Sequence, residues 1–118
     1  MVDSGFSAKP IYATFKAGSA LSEEVDLKFT RLFGISMPNV WATANITIQV
    51  RRNEEDVWRN LHHDDGQEYT ITASGDRHIN IRWPGSLFGI RYIRLRSGTS
   101  ATPVVQPAET KLNLLTME

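Results

Sequence analysis

Ile46-Thr47-Ile48-Gln49-Val50-Arg51 alternates apolar and polar side chains without a break. Successive side chains of a strand point to opposite faces, so this stretch describes a strand with one face in a core and the other toward water. The same beat returns from Glu68 to Ala73, with Tyr69, Ile71 and Ala73 on one face, and from Arg77 to Trp83, with Ile79, Ile81 and Trp83 on one face. No segment carries a competing apolar repeat at helical spacing. The chain reads as all-β.

Working outward from these segments, candidate strands fall near residues 10–17, 23–29, 32–37, 45–52, 57–61, 68–74, 77–83, 89–97 and 110–117. Turn chemistry separates them: Gly18 and Ser19, Pro38 and Asn39, Asp65 and Gly66, Ser74 and Gly75, Pro84 and Gly85. Eight or nine short strands in 118 residues suit a single-domain antiparallel β-sandwich, with a jelly roll preferred to an immunoglobulin-like order. Residues 1–9 are expected to form a flexible N-terminal arm and residues 10–118 the sandwich domain. Single helical turns are expected only around residues 85–88 and 42–44. Asn53, Glu54, Glu55 and Asp56 read as a hairpin tip. The expected core consists of Ile46, Ile48, Val50, Trp58, Leu61, Ile71, Ile79, Ile81, Ile93 and Leu95, with Trp58 packed beneath the hairpin and costing about 3–5 kcal/mol on truncation.

Thirteen basic residues balance thirteen acidic ones, and 41% of the chain is apolar. A neutral chain lacks the basic face that a dedicated nucleic-acid binder needs to displace counterions from phosphate, so no direct nucleic-acid partner is expected. The longest uncharged run, residues 32–50, is interrupted by Pro38, Asn39, Thr43, Asn45, Thr47 and Gln49, which argues against a membrane span. The opening MVDSGFSAKP has neither the charged nor the apolar region of a secretory signal. Without cysteine, disulfides and thiolate chemistry are excluded.

Few residues suggest chemistry. His62, His63, Asp64 and Asp65 are capable of metal ligation, but neighbours on an extended chain point opposite ways, and the following Gly66 makes this a polar turn. Glu23, Glu24 and Asp26 read as solvated outer-face charge. There is no G-x-S-x-G and no phosphate-cradling glycine pattern, so no enzyme, cofactor or metal site is expected. The candidate partner-contact residues are three groups. Tyr92, Arg94 and Arg96 share one face of a strand, as a contact stripe or as arginines paired with neighbouring carboxylates. Phe6 is the one large apolar residue of the arm. Pro103, Val104 and Val105 lie in a loop without an evident strand.

Four segments carry a resemblance: ALSEEVDL, LFGISMPNVWATANITIQV, VWRNLHHDDGQEYTI and GIRYIRLRSGTSATPVVQPAETKLNLL. From about Ser19 onward the chain resembles a family of small proteins encoded among the structural genes of tailed bacteriophages and prophages. The matching features are Gly34, Ile35, Met37, Pro38 and Trp41, then Trp58 and Leu61, the turn at Asp64, Asp65 and Gly66, and the segment running from Tyr92 to Thr99. The hairpin departs from the pattern, since relatives tend to have Ser-x-Asp-Gly where this chain has Asn53 to Asp56. The resemblance implies a virion structural protein of cement or decoration type. Such a protein is made in the host bacterial cytoplasm and binds the outer surface of the major capsid protein shell, as a dimer or trimer on the particle. Two other readings are a tail or neck adaptor, and a carbohydrate- or receptor-binding module, for which Trp41 or Trp83 would have to stand exposed as a flat stacking platform.

Overall fold

Half-buried strands must cover one face each, and here two sheets cover one another. The structure, a computed structural model, describes residues 11–87 and 89–117. Among the described residues the strands are β1 (Ile11–Phe15), β2 (Val25–Asp26), β3 (Arg31–Ser36), β4 (Ile46–Arg51), β5 (Arg59–Asn60), β6 (Thr70–Ile71), β7 (His78–Asn80), β8 (Tyr92–Ser97) and β9 (Thr110–Met117). One sheet has the order β1-β9-β3-β7, the other β2-β8-β4-β5, with β6 also on β4. All pairings are antiparallel. The chain is thus an all-β, two-sheet sandwich. Phe6 and the arm expected at residues 1–9 lie outside the described residues.

β5 and β6 form one interrupted edge strand. Gln49 and Val50 of β4 face Asn60 and Arg59, whereas Ile46 and Thr47 face Ile71 and Thr70. Between them residues 62–68 turn out and back, closed by the His62–Glu68 bridge and by Tyr69 N donating to Leu61 O at 2.9 Å. The connections β4–β5 and β5–β6 stay within a sheet, and every other connection crosses between sheets.

The core follows the alternation. Leu112 and Leu114 of β9, Ile93 and Leu95 of β8, and Ile46 and Ile48 of β4 point inward with Ala13 and Phe15 of β1. In β3 the pairing with β9 slips between Leu32 and Gly34, and this bulge turns both Leu32 and Ile35 inward despite their odd separation. Of the expected core residues, Ile46, Ile48, Ile71, Ile81, Ile93 and Leu95 belong to the buried cluster, and Val50, Leu61 and Ile79 pack against it. Trp58 corrects the expectation: it is only half-buried and stands outside that cluster, on the outer face of the second sheet. Trp41 fills the core instead, edge-on to Phe15 with ring centroids 5.5 Å apart and its indole N–H donated to Ala44 O.

Several elements are shorter than the pattern suggests. β2 ends at Asp26, whose carboxylate accepts the backbone N–H of Lys28 at 2.9 Å while Lys28 turns to φ 54°. A 3₁₀ turn spans Pro84–Leu87, close to the helical turn expected there, whereas residues 42–44 form no helix.

The connection after β8 depends on one glycine. Gly98 has φ +90°, and a Cβ there would run into Thr102 O and stand 2.7 Å from Val104 N. Gly66 has a comparable φ of +92° but open space around it. Gly66→Ala is therefore expected to cost about 1–2 kcal/mol from left-handed strain alone, and Gly98→Ala at least about 3 kcal/mol because the loop must also move. Urea denaturation of both variants checks this; equal losses would show that the close approach at Gly98 has no energetic weight.

Candidate functional site

β8 presents Tyr92, Arg94 and Arg96 on the outer face of the second sheet, beside Thr47, Gln49 and Arg51 of β4. The stripe expected from sequence exists, but neighbours occupy it. Arg96 is buried, bonding Glu68 at 3.2 Å and Asn60 Oδ1 at 2.7 Å. Arg94 donates to Gln49 Oε1 at 2.6 Å, and its guanidinium lies 4.6 Å from the Trp58 ring centroid. Arg51 stands 4.8 Å from the same ring and grips both oxygens of Glu24. Trp58 is thereby a shared surface for two guanidinium groups, each contact worth about 0.5–2 kcal/mol. Burial, with the nearby charges of Arg96 and Arg51, holds the Arg94 pKa below its ordinary value.

The acidic group at and just before β2 is spent in the same manner. Glu23 pairs with Lys16, Glu24 with Arg51, and Asp26 with Arg91 at 2.8 Å. The Arg91 hydrogen bond keeps the Asp26 carboxyl below the usual range. Asp56 serves both Arg52 and Arg59, and these bonds lower its pKa in turn. With Arg51 and Arg91 they border a 340 Å³ groove at the end of the sandwich formed by residues 52–59 and 89–91. Its arginines are all engaged with carboxylates.

At the opposite end lies the loop of residues 98–109, which contains Pro103, Val104 and Val105. Gln106 pins it. Its buried amide accepts from Ala42 N and donates to Ala42 O and Ser97 Oγ, while its backbone joins Gly18 and Ser19. Pro103 and Val105 remain exposed and Val104 half-buried. The neighbouring loop, tied on through Ala42, exposes Val40.

The feature that strand reading misplaces is Trp83. β7 ends at Asn80, so Trp83 does not follow Ile79 and Ile81; it is 51% exposed, against 8% for Trp41. A signal was present in the following Pro84, because the residue before proline is steered into extended loop geometry. Trp83 is held by its carbonyl, which accepts the hydroxyl of buried Tyr69 at 3.0 Å. His63 lies between them, 4.9 Å from the Tyr69 ring and 6.2 Å from Trp83. His62 faces Asn60 O instead, and among the described residues no three metal-capable side chains are arranged to hold an ion. Trp83 walls two clefts: one of 410 Å³ with His63, Asp64, Asp65 and Gln67, and one of 250 Å³ with Asn80 and Arg82.

No family model matches the chain, and no curated protein or solved structure matches it.

Two expectations arise from this geometry. Removing Glu68 strands a buried guanidinium, so Glu68→Ala is expected to cost about 3–5 kcal/mol. Trp58→Ala, which removes two half-exposed contacts, is expected to cost about 1–2 kcal/mol; urea titration giving the reverse order would refute this assignment. Burial pushes the Tyr69 hydroxyl up to about 12. Since its pKa is raised above the ordinary value of about 10, the stability from the protonated phenol is complete below that pH and is lost as pH rises through the higher value. Melting temperatures across that alkaline window are expected to fall more steeply for the parent chain than for Tyr69→Phe, and parallel curves would contradict the account.

Proposed function

We propose that this chain is a virion structural protein of a tailed bacteriophage, of cement or decoration type, which binds the outer surface of the major capsid protein shell and stabilises it. The observation that carries this reading is the pinned loop of residues 98–109. A contact loop already fixed by Gln106 loses little conformational entropy on docking, so even a few apolar side chains contribute net affinity. Val105 and Val40 stand exposed on two loops joined through Gln106 and Ala42. Carboxylates and arginines elsewhere are largely tied in pairs, which suits a scaffold for contacts better than a reaction centre.

The strand order supports the finer jelly-roll reading. With β5 and β6 counted as one interrupted strand, the eight strands interleave as two Greek keys would arrange them. The resemblance across residues 19–118 supports the phage assignment. On this reading the protein is made in the bacterial cytoplasm and is carried on the capsid exterior as a dimer or trimer, with the major capsid protein as its partner. Many weakly held copies then act together because the lattice keeps them in register.

Quantitative mass spectrometry of purified virions tests the proposal. Hundreds of copies per particle are expected, and Val105→Asp with Val40→Asp is expected to lower occupancy on capsids. About a dozen copies or fewer would instead assign a neck or tail position.

A further inference from the structure

We propose that Trp83 is the stacking platform of a carbohydrate-binding site that takes a neutral oligosaccharide across the two clefts it lines. The proposal concerns the isolated chain and is independent of its place on a particle.

A tryptophan left half in water has forfeited much of the gain from burial that Trp41 obtains in full and Trp58 in part. Trp41 is packed in the core and Trp58 lies against Arg51 and Arg94. Trp83 has one guanidinium beside its ring, that of Arg82, where Trp58 has two, and it stays 51% exposed, yet it is held in place. Tyr69 fixes its carbonyl, Arg82 lies 4.9 Å from its ring centroid, and His63 approaches nearly perpendicular to it, at 77°. An exposed indole anchored in this way is preorganised, which reduces the ordering cost of binding.

The surroundings identify the ligand. A pyranose ring has a C–H face, suited to an indole, and a rim of hydroxyl groups that both donate and accept hydrogen bonds. Both kinds of partner flank Trp83. Asp64 and Asp65 supply acceptors, Arg82 supplies donors, and the amides of Gln67 and Asn80 supply both. Among the described residues the Asp64 carboxylate, the Gln67 amide and the Arg82 guanidinium make no hydrogen bond or ion pair within the chain. The Asp65 carboxylate is oriented by accepting Gln67 N at 2.9 Å. The larger cleft, at 410 Å³, lies in the range of roughly 300–1,000 Å³ typical of small-ligand sites.

Charge excludes the main competitors. Two carboxylates against one guanidinium leave the site with a small negative balance, which disfavours phosphate, nucleic acid and uronic or sialic sugars. Its polar rim is richer than an apolar peptide groove requires. Trp83 lines both clefts, so a chain of several sugars fits better than a single one.

The test is titration of the full chain with cellohexaose, chitohexaose, maltohexaose and xylohexaose, followed by tryptophan fluorescence. Trp83 is the most exposed indole, so stacking is expected to shift emission to the blue with at least one of these sugars, with a dissociation constant in the millimolar range. Trp83→Ala is expected to abolish the shift and the heat measured by calorimetry. Trp83→Phe is expected to retain weaker binding, and Asp64→Asn with Asp65→Asn to weaken it about tenfold. Phe29→Ser, at a site outside the clefts, is expected to bind as the parent does. Circular dichroism confirms that each variant is folded; should Trp83→Ala fail to fold, Trp83→Phe and the aspartate pair decide. No response from any of the four sugars up to about 10 mM, equal binding by the Trp83 variants, or binding of acidic oligosaccharides alone would overturn the proposal.

Discussion

A guanidinium withdrawn from water must keep its counter-ion, and Arg96 imposes that condition on the second sheet. Its side chain lies on β8 over Thr47, reaches Asn60 on the interrupted edge strand, and pairs with Glu68 at the root of the turned-out segment. Glu68 in turn accepts Ser100 N at 3.2 Å from the loop that follows β8. One ion pair therefore ties together a central pair of strands, the excursion of residues 62–68 and the loop of residues 98–109. Losing either partner leaves a buried charge alone, so the pair determines where these segments lie as well as how strongly they are held.

What these segments position is surface. At one end, Gln106 fastens three loops and leaves valines exposed on two of them. At the side, the excursion brings His63, Asp64 and Asp65 against Trp83. The same device, a buried polar group holding an exposed apolar one, recurs at Gln106 with Val105 and at Tyr69 with Trp83. It gives a small domain contact points that are already fixed in place, which lowers the ordering cost of docking.

The strand faces were legible because their periodicity is local. Ile46 and Ile48, Ile93 and Leu95, and Tyr69, Ile71 and Ala73 each lie on the side that alternation assigns. Element lengths were less legible: β7 stops at Asn80 although its pattern runs on to Trp83, and β5 and β6 are parts of one edge strand rather than two neighbours. The bulge in β3 reverses the phase that a simple count would assign to Ile35.

By itself the sequence determined an all-β chain, its turns, and most of the core, because a two-residue period and turn-forming residues act between near neighbours. Only the tertiary structure decided the fate of the polar and aromatic groups. Arg96 meets Glu68 28 residues away and Arg94 meets Gln49 45 residues away, so a stripe that looks basic and free in one strand is taken up by side chains of others. Likewise Trp58 became a support for arginines, Trp41 a core residue and Trp83 a half-exposed residue at the edge of two clefts. Alternation separates the two faces of a strand, but which face a second sheet covers, and which charges meet there, depends on elements remote in the chain.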